Sequence, residues 1–208
     1  MKVTVFGATG NSGRRVVAAA LAAGHAVSVL VRDPARLADA DGLRVVAGDI
    51  TDEAAVEQAV AGSEGVIWAV GPSSNTPDQP LLFETAARTL VAAMQRAGAR
   101  RLVALSGAGV TVPGETKPLA HRLASVFVGL MVRHVVDAKQ REYAVFAASG
   151  LDWTLVRPPR VVDGPPSGQR RAGDRPAGAR VTSADLAEFM VEQLTDITYL
   201  GRAPYVGS

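Results

Sequence analysis

The stretch Lys2-Val3-Thr4-Val5-Phe6-Gly7-Ala8-Thr9-Gly10-Asn11-Ser12-Gly13 carries the reading of this chain. Lys2 to Phe6 is rich in β-branched and aromatic side chains and predicts a short buried strand. Asn11 to Ala23 carries a helical pattern that Gly24 stops. Between them lie three glycines, Gly7, Gly10 and Gly13. A strand–turn–helix with this spacing suits a pyrophosphate. The chain turns tightly, nears the ligand with no Cβ in the way, and aims helix amides at negative charge. Thr9, Asn11 and Ser12 add short polar side chains. A glycine turn used only for close packing is the bland alternative, and the local context favours the phosphate.

Apolar runs and helical patterns alternate outward from this turn. Strands are predicted at 26–31, 43–47, 65–70, 101–105 and 152–156, and helices near 52–61, 79–97, 119–148 and 182–194. Asp33-Pro34 opens a short helix with Asp33 as cap. The stretch 162–179 reads as a loop by composition. Strands separated by crossover helices must pair in parallel, and their continuous apolar character fits a sheet covered on both faces. The expected fold is α/β, a doubly wound parallel sheet in a single domain spanning 1–208. Ligands of such sheets sit at the carboxyl ends of the strands, where strand order reverses.

The residues after each strand are therefore the candidates. Arg32 follows the second strand where a carboxylate would hold an unmodified ribose, and Arg36 lies one turn on. Two guanidiniums suit a 2′-phosphate, so NADP(H) is expected over NAD(H). Asp33 competes for ribose, but capping explains it. Asp49, after the third strand, can accept from an adenine amino group with Ile50 against the ring, or cap the next turn. Val70 and Gly71 carry the chain past the cofactor, and 73–77 forms a pocket rim. Ser106 ends the fifth strand near the expected nicotinamide or acceptor carbonyl, or is a turn residue only.

Composition excludes much. Of 208 residues 48% are hydrophobic and only 5% aromatic, so disorder and a ring-built sandwich are both disfavoured. Cysteine is absent, which removes disulfides and thiol nucleophiles, and no metal site is expected. Net charge is +2, with 22 basic residues, and six arginines cluster between Arg157 and Arg180 against Asp163 and Asp174 alone. That surplus is local, unlike the broad basic face of a nucleic-acid binder. It reads as an anion-facing loop at 158–180 near the substrate pocket, or as a solvated one. No secretory signal or membrane span is visible, so a cytoplasmic location is expected, with neither nucleic acid nor membrane as partner. His25, His121 and His134 read as structural or surface residues, and Trp68 and Trp153 as core. The apolar segment 126–132 leaves core, pocket wall and dimer face open, and with them a monomer or a homodimer.

Taken together, these residues make the chain resemble the atypical short-chain dehydrogenase/reductases, in particular the NAD(P)H-binding, NmrA-like branch with biliverdin reductase B/flavin reductase. The resemblance rests on Val5 to Gly13, Val29-Leu30-Val31-Arg32-Asp33 with Arg36, Gly48-Asp49-Ile50, Val91-Ala92-Ala93-Met94, Ser149-Gly150-Leu151-Asp152-Trp153 and Arg157-Pro158-Pro159-Arg160. It implies a Rossmann-type fold with cofactor contacts at Gly7, Thr9, Gly10, Asn11, Ser12, Gly13, Arg32, Arg36, Asp49 and Ile50. It places Val70, Gly71, Ser106, Lys139, Pro159, Arg160 and Val161 on the nicotinamide side. The Tyr-x-x-x-Lys pair of the wider superfamily is missing, because Tyr143 is followed four residues later by Ala147 and Lys139 precedes it. That branch also lacks the pair, and solvent supplies its protons. Arg160 stands where those relatives carry His.

The function expected is an NADPH-dependent oxidoreductase that passes hydride to a flat conjugated small-molecule acceptor (flavin, quinone or tetrapyrrole-like). Ser106 and Lys139 are its candidate catalytic residues. The alternative is a non-catalytic NADP(H)-binding redox sensor.

Overall fold

Each change of pattern along the chain becomes a change of element. The computed structural model describes residues 1–37, 40–115, 132–176 and 178–208. In order these hold β1 (Lys2–Phe6), α1 (Asn11–Ala22), β2 (Ala26–Val31), a 3-10 turn (Pro34–Arg36), β3 (Leu43–Ala47), α2 (Glu53–Val60) and β4 (Gly65–Trp68). Then follow α3 (Gln79–Ala97), β5 (Arg101–Leu105), α4 (Arg133–Ala147), β6 (Asp152–Val156), β7 (Val161–Val162), β8 (Arg171–Gly173), β9 (Val181–Thr182), α5 (Ser183–Glu192) and β10 (Tyr205–Gly207).

Six strands form one parallel sheet in the order β3-β2-β1-β4-β5-β6. Strand order reverses between β1 and β4, the switch point of a doubly wound sheet. In β1, Val3 and Val5 pack in the cluster that contains α1 and α5, whereas Phe6 packs in the cluster of α2, α3 and α4. Thr4 also turns toward α2 and donates to the Ala59 carbonyl at 2.8 Å. Both faces are thus covered, which is why the strands lack polar alternation. Trp68 fills the second face, with its ring centroid 5.2 Å from Phe6 and 6.2 Å from Phe146.

Several boundaries differ from the sequence expectation. β4 ends at Trp68 rather than at 70, because the Val70 carbonyl bonds a lysine (described below) rather than a neighbouring strand. Asp52 caps α2 from outside, accepting from Ala54 and Ala55, and Thr182 caps α5 through Asp185. The stretch expected to be loop carries short strands. β7 pairs in parallel with β9, and β8 runs antiparallel to β10. Strands of two or three residues show no period, and their partners lie far along the chain. The helix expected over 119–148 is described from Arg133 onward; His121 and 126–131 lie outside the described residues.

Arg157, only 3% exposed, ties the carboxyl side of the sheet together. Its guanidinium pairs with both Glu115 oxygens, at 2.9 and 3.2 Å, and stacks 4.0 Å over the Tyr205 ring. It also donates to the carbonyls of Val110 and Ala203. The segment after β5 and the C-terminal strand are both anchored there. Glu115→Ala should leave this buried cation short of its counter-charge and cost about 3 kcal/mol. Thermal unfolding should then show a melting temperature about 6–12 °C lower.

Candidate functional site

The glycine turn between β1 and α1 is built by close approach. Gly7 has φ +82°, and a Cβ there would lie 2.6 Å from the Ala69 carbonyl oxygen. A Cβ on Gly13 would lie 1.9 Å from the Gly7 oxygen. That oxygen accepts from the Gly10 amide at 3.0 Å, closing the turn. Gly10 is the N-cap of α1, with no side-chain cap and no acidic residue in the first turn. The first amides of the helix thus have no side-chain cap and no carboxylate in their own turn, the electrostatic condition for an anion.

Two clefts open from this turn along the carboxyl ends of the strands. One, of about 260 Å³, is walled by Gly7, Thr9, Arg32, Asp49, Ile50 and Phe83 among others. The other, of about 440 Å³, is walled by Asn11, Ser12, Ser106, Gly107, Val136 and Lys139 among others. Val70 and Gly71 line both. The clefts are therefore two ends of one trough that crosses the switch point.

The adenosine-side candidates lie together. Arg32 is exposed at the rim and makes no ion pair among the described residues. Asp33 Oδ1 accepts from the Ala35 amide at 3.0 Å, so it caps the 3-10 turn. Asp49 Oδ1 accepts from the amide and hydroxyl of Thr51, at 3.0 and 2.7 Å, so its turn-forming role is present while it also lines the cleft. Arg36 is exposed on the 3-10 turn and does not line the cleft.

At the other end, Ser106 Oγ is buried with no hydrogen-bond partner among the described residues, an arrangement that costs free energy unless something supplies the bond. Lys139 lies against the same cleft, but its three donors are taken. They reach the carbonyls of Val70 at 2.6 Å and Leu105 at 2.9 Å, and Glu142 Oε1 at 2.8 Å. Glu142 is wholly buried, and its other oxygen accepts from Trp68 Nε1 at 2.7 Å. Burial pushes the Glu142 carboxyl up, and the Lys139 ammonium and the indole N–H oppose that. Pro159, Arg160 and Val161 are exposed and line neither cleft. The Pro158 carbonyl accepts from Ala108, which lies between Gly107 and Gly109 of the second cleft, and the Arg160 carbonyl accepts from Val181 in β9.

The profile of the NAD(P)H-binding family matches residues 7–197, nearly the whole chain. This chain belongs to the NAD(P)H-binding family. Among similar proteins, the reductase pytE of Aspergillus terreus is 29% identical over 202 residues, covering 78% of this chain and 76% of that one. The (4-alkanoyl-5-oxo-2,5-dihydrofuran-3-yl)methyl phosphate reductase of Streptomyces griseus is 32% identical over 97% of this chain and 66% of its own length. The chain thus spans just under two thirds of that relative. In fold it is similar to the anaerobillin reductase ChuY from Escherichia coli O157:H7, with TM-score 0.82 and 21% identity over 100% of this chain and 97% of that one.

The residues of this NAD(P)H-binding protein fit a dinucleotide. The cradle at Gly7 and Gly13 is closed to any Cβ, α1 has no side-chain cap, and the Ser106 hydroxyl has no partner among the described residues. Sequence reading missed Glu142, which sits three residues after Lys139 on the same helix face. A Lys and a Glu at that spacing look like a surface pair; only the burial of α4 against α3 distinguishes them. It also missed Gln79, Leu82 and Phe83 at the start of α3, which line the first cleft.

Proposed function

We propose that this protein is an NADPH-dependent oxidoreductase that reduces a flat conjugated small molecule of the flavin, quinone or tetrapyrrole type. The observation that carries the reading is the pair of clefts at the switch point, one reaching Arg32 and the other Ser106, with Val70 and Gly71 lining both. Reductases among the relatives support it.

NADPH bound in the trough supplies a hydride to the acceptor. The chain holds and orients. The α1 amides with Thr9, Asn11 and Ser12 take the pyrophosphate, Arg32 with Arg36 the 2′-phosphate, and Asp49 with Ile50 the adenine. Val70 and Gly71 let the cofactor pass, and Ser106 Oγ donates to the carboxamide or to the acceptor carbonyl. Lys139 forms the wall behind them, and Pro159, Arg160 and Val161 form the outer rim. Water in the open second cleft supplies the proton, since no tyrosine lines it. Rate enhancement then comes from orientation.

The test is NADPH oxidation against a panel of flavins, quinones and tetrapyrroles. Turnover with at least one acceptor supports an enzyme. Saturable NADPH binding with no turnover across the panel would overturn it in favour of a redox sensor, the reading that the fully engaged Lys139 donors favour. Ser106→Ala separates function from folding. It removes a buried hydroxyl with no partner among the described residues, so stability should hold or rise, by up to about 1 kcal/mol. Turnover should fall about 10-fold.

A further inference from the structure

Glu142 lines neither cleft, yet among the described residues it is the most deeply buried charge, and it is joined to the cleft wall through one atom. Its Oε1 holds the Lys139 ammonium, and its Oε2 holds the Trp68 indole in β4. Lys139 in turn bridges the carbonyls of Leu105, the last residue of β5, and Val70, two residues past the end of the adjacent β4, and both residues line the second cleft. Five polar groups, from β4 and the residues just after it, β5 and α4, thus form one connected network in which every Lys139 donor and both Glu142 oxygens are used. A lone ammonium here would move toward water at the cleft mouth, because the long lysine stem lets the charge reach solvent. The carboxylate on the core side prevents that.

We propose that Glu142 is a positioning residue. Its buried carboxylate keeps Lys139 drawn back across the Val70 and Leu105 carbonyls, as a wall, and so sets the spacing of the β4 and β5 ends between which the nicotinamide lies. The proposal rests on the reading of the trough given above. It assigns Lys139 a structural charge rather than a bond to substrate, and it makes the pair act as a unit.

The experiment compares wild type, Glu142→Gln, Lys139→Met and the double variant, each as the full chain and well below its melting temperature. Emission of bound NADPH reports how firmly the ring is held, the dissociation constant reports the adenosine and pyrophosphate contacts, and turnover reports chemistry. In Glu142→Gln the bound-NADPH emission should fall toward that of the free cofactor, while the dissociation constant stays within about 3-fold, because the remote contacts persist. Turnover should drop about 10- to 100-fold with little change in the NADPH KM, as expected for a misplacement of the order of 1 Å. The double variant should be no worse than the worse single one. Glu142→Asp, which keeps the charge, should recover part of both signals and serves if Glu142→Gln does not fold.

Emission and turnover unchanged in Glu142→Gln, losses that multiply in the double variant, or losses that follow melting temperature alone would each overturn the proposal. A wild-type chain that binds no NADPH would overturn the reading of the trough as well. One that binds NADPH but reduces no acceptor leaves the emission comparison to decide on Glu142.

Discussion

Gly13→Ala is expected to abolish dinucleotide binding and to cost about 3 kcal/mol or more of stability at once. The added Cβ would sit 1.9 Å from the Gly7 carbonyl oxygen, a backbone atom that also accepts from the Gly10 amide. Neither partner can give way, so α1 must slide from β1 and its amides lose their aim. Titration with NADPH should show affinity lower by more than about 100-fold, and the melting temperature should fall by about 6–12 °C. Gly10→Ala is the control that separates ligand from fold. Its Cβ would meet only the Gly7 oxygen, at 3.3 Å, and its φ of −80° suits any residue. The variant should fold with a melting temperature within about 3 °C of wild type, yet bind NADPH at least about 10-fold more weakly, since the methyl intrudes where the pyrophosphate lies. Equal loss of fold in both would place the glycines in packing alone.

Arg32→Ala should collapse the preference for NADPH over NADH by about 10- to 100-fold, the worth of charge-assisted bonds to one phosphate group. NADH affinity should change by less than about 3-fold, because the 2′-hydroxyl does not need the guanidinium. Among the described residues Arg32 makes no ion pair at the rim of the first cleft, so its loss leaves none of them uncompensated. Arg36→Ala should cost less, about 3-fold, because that side chain is exposed and off the cleft wall. The wild-type preference should weaken as salt rises, whereas the residual preference of Arg32→Ala should be flat. A preference unchanged in Arg32→Ala would assign the discrimination to another group.

The elements around the trough were legible in the sequence for physical reasons. β1, β5 and β6 are mainly apolar runs and α3 keeps a helical period, and their bounds stand as read: Lys2–Phe6, Arg101–Leu105, Asp152–Val156 and Gln79–Ala97. The parallel order followed because each pair of strands is separated by a helix, which leaves little else to build. Asp33 was legible as a cap through the proline beside it. The trough's position came from the same logic, for the strand ends that carry Gly7, Arg32, Asp49, Val70 and Ser106 converge on one side of the sheet.

What was not legible depends on long-range partners. The role of Lys139 hangs on two carbonyls 69 and 34 residues away and on a buried Glu142. The arginine-rich stretch reads as one loop, anion-facing or solvated. In the fold its members part company: Arg157 is buried, Arg170 pairs with Glu192 and lies 5.4 Å from the centre of the Phe189 ring, and Asp174 pairs with Arg202. Charge composition says nothing about such partition, because each guanidinium's partner is set by tertiary contact.

The crystal structure of the NADPH complex tests the account most directly. The account predicts the pyrophosphate on the α1 amides beside Gly10 and Ser12, the adenosine end between Arg32 and Ile50, and the nicotinamide beyond Val70 and Gly71 within hydrogen-bonding reach of Ser106 Oγ. A dinucleotide seated elsewhere, or with its nicotinamide at the Arg32 end, would contradict it.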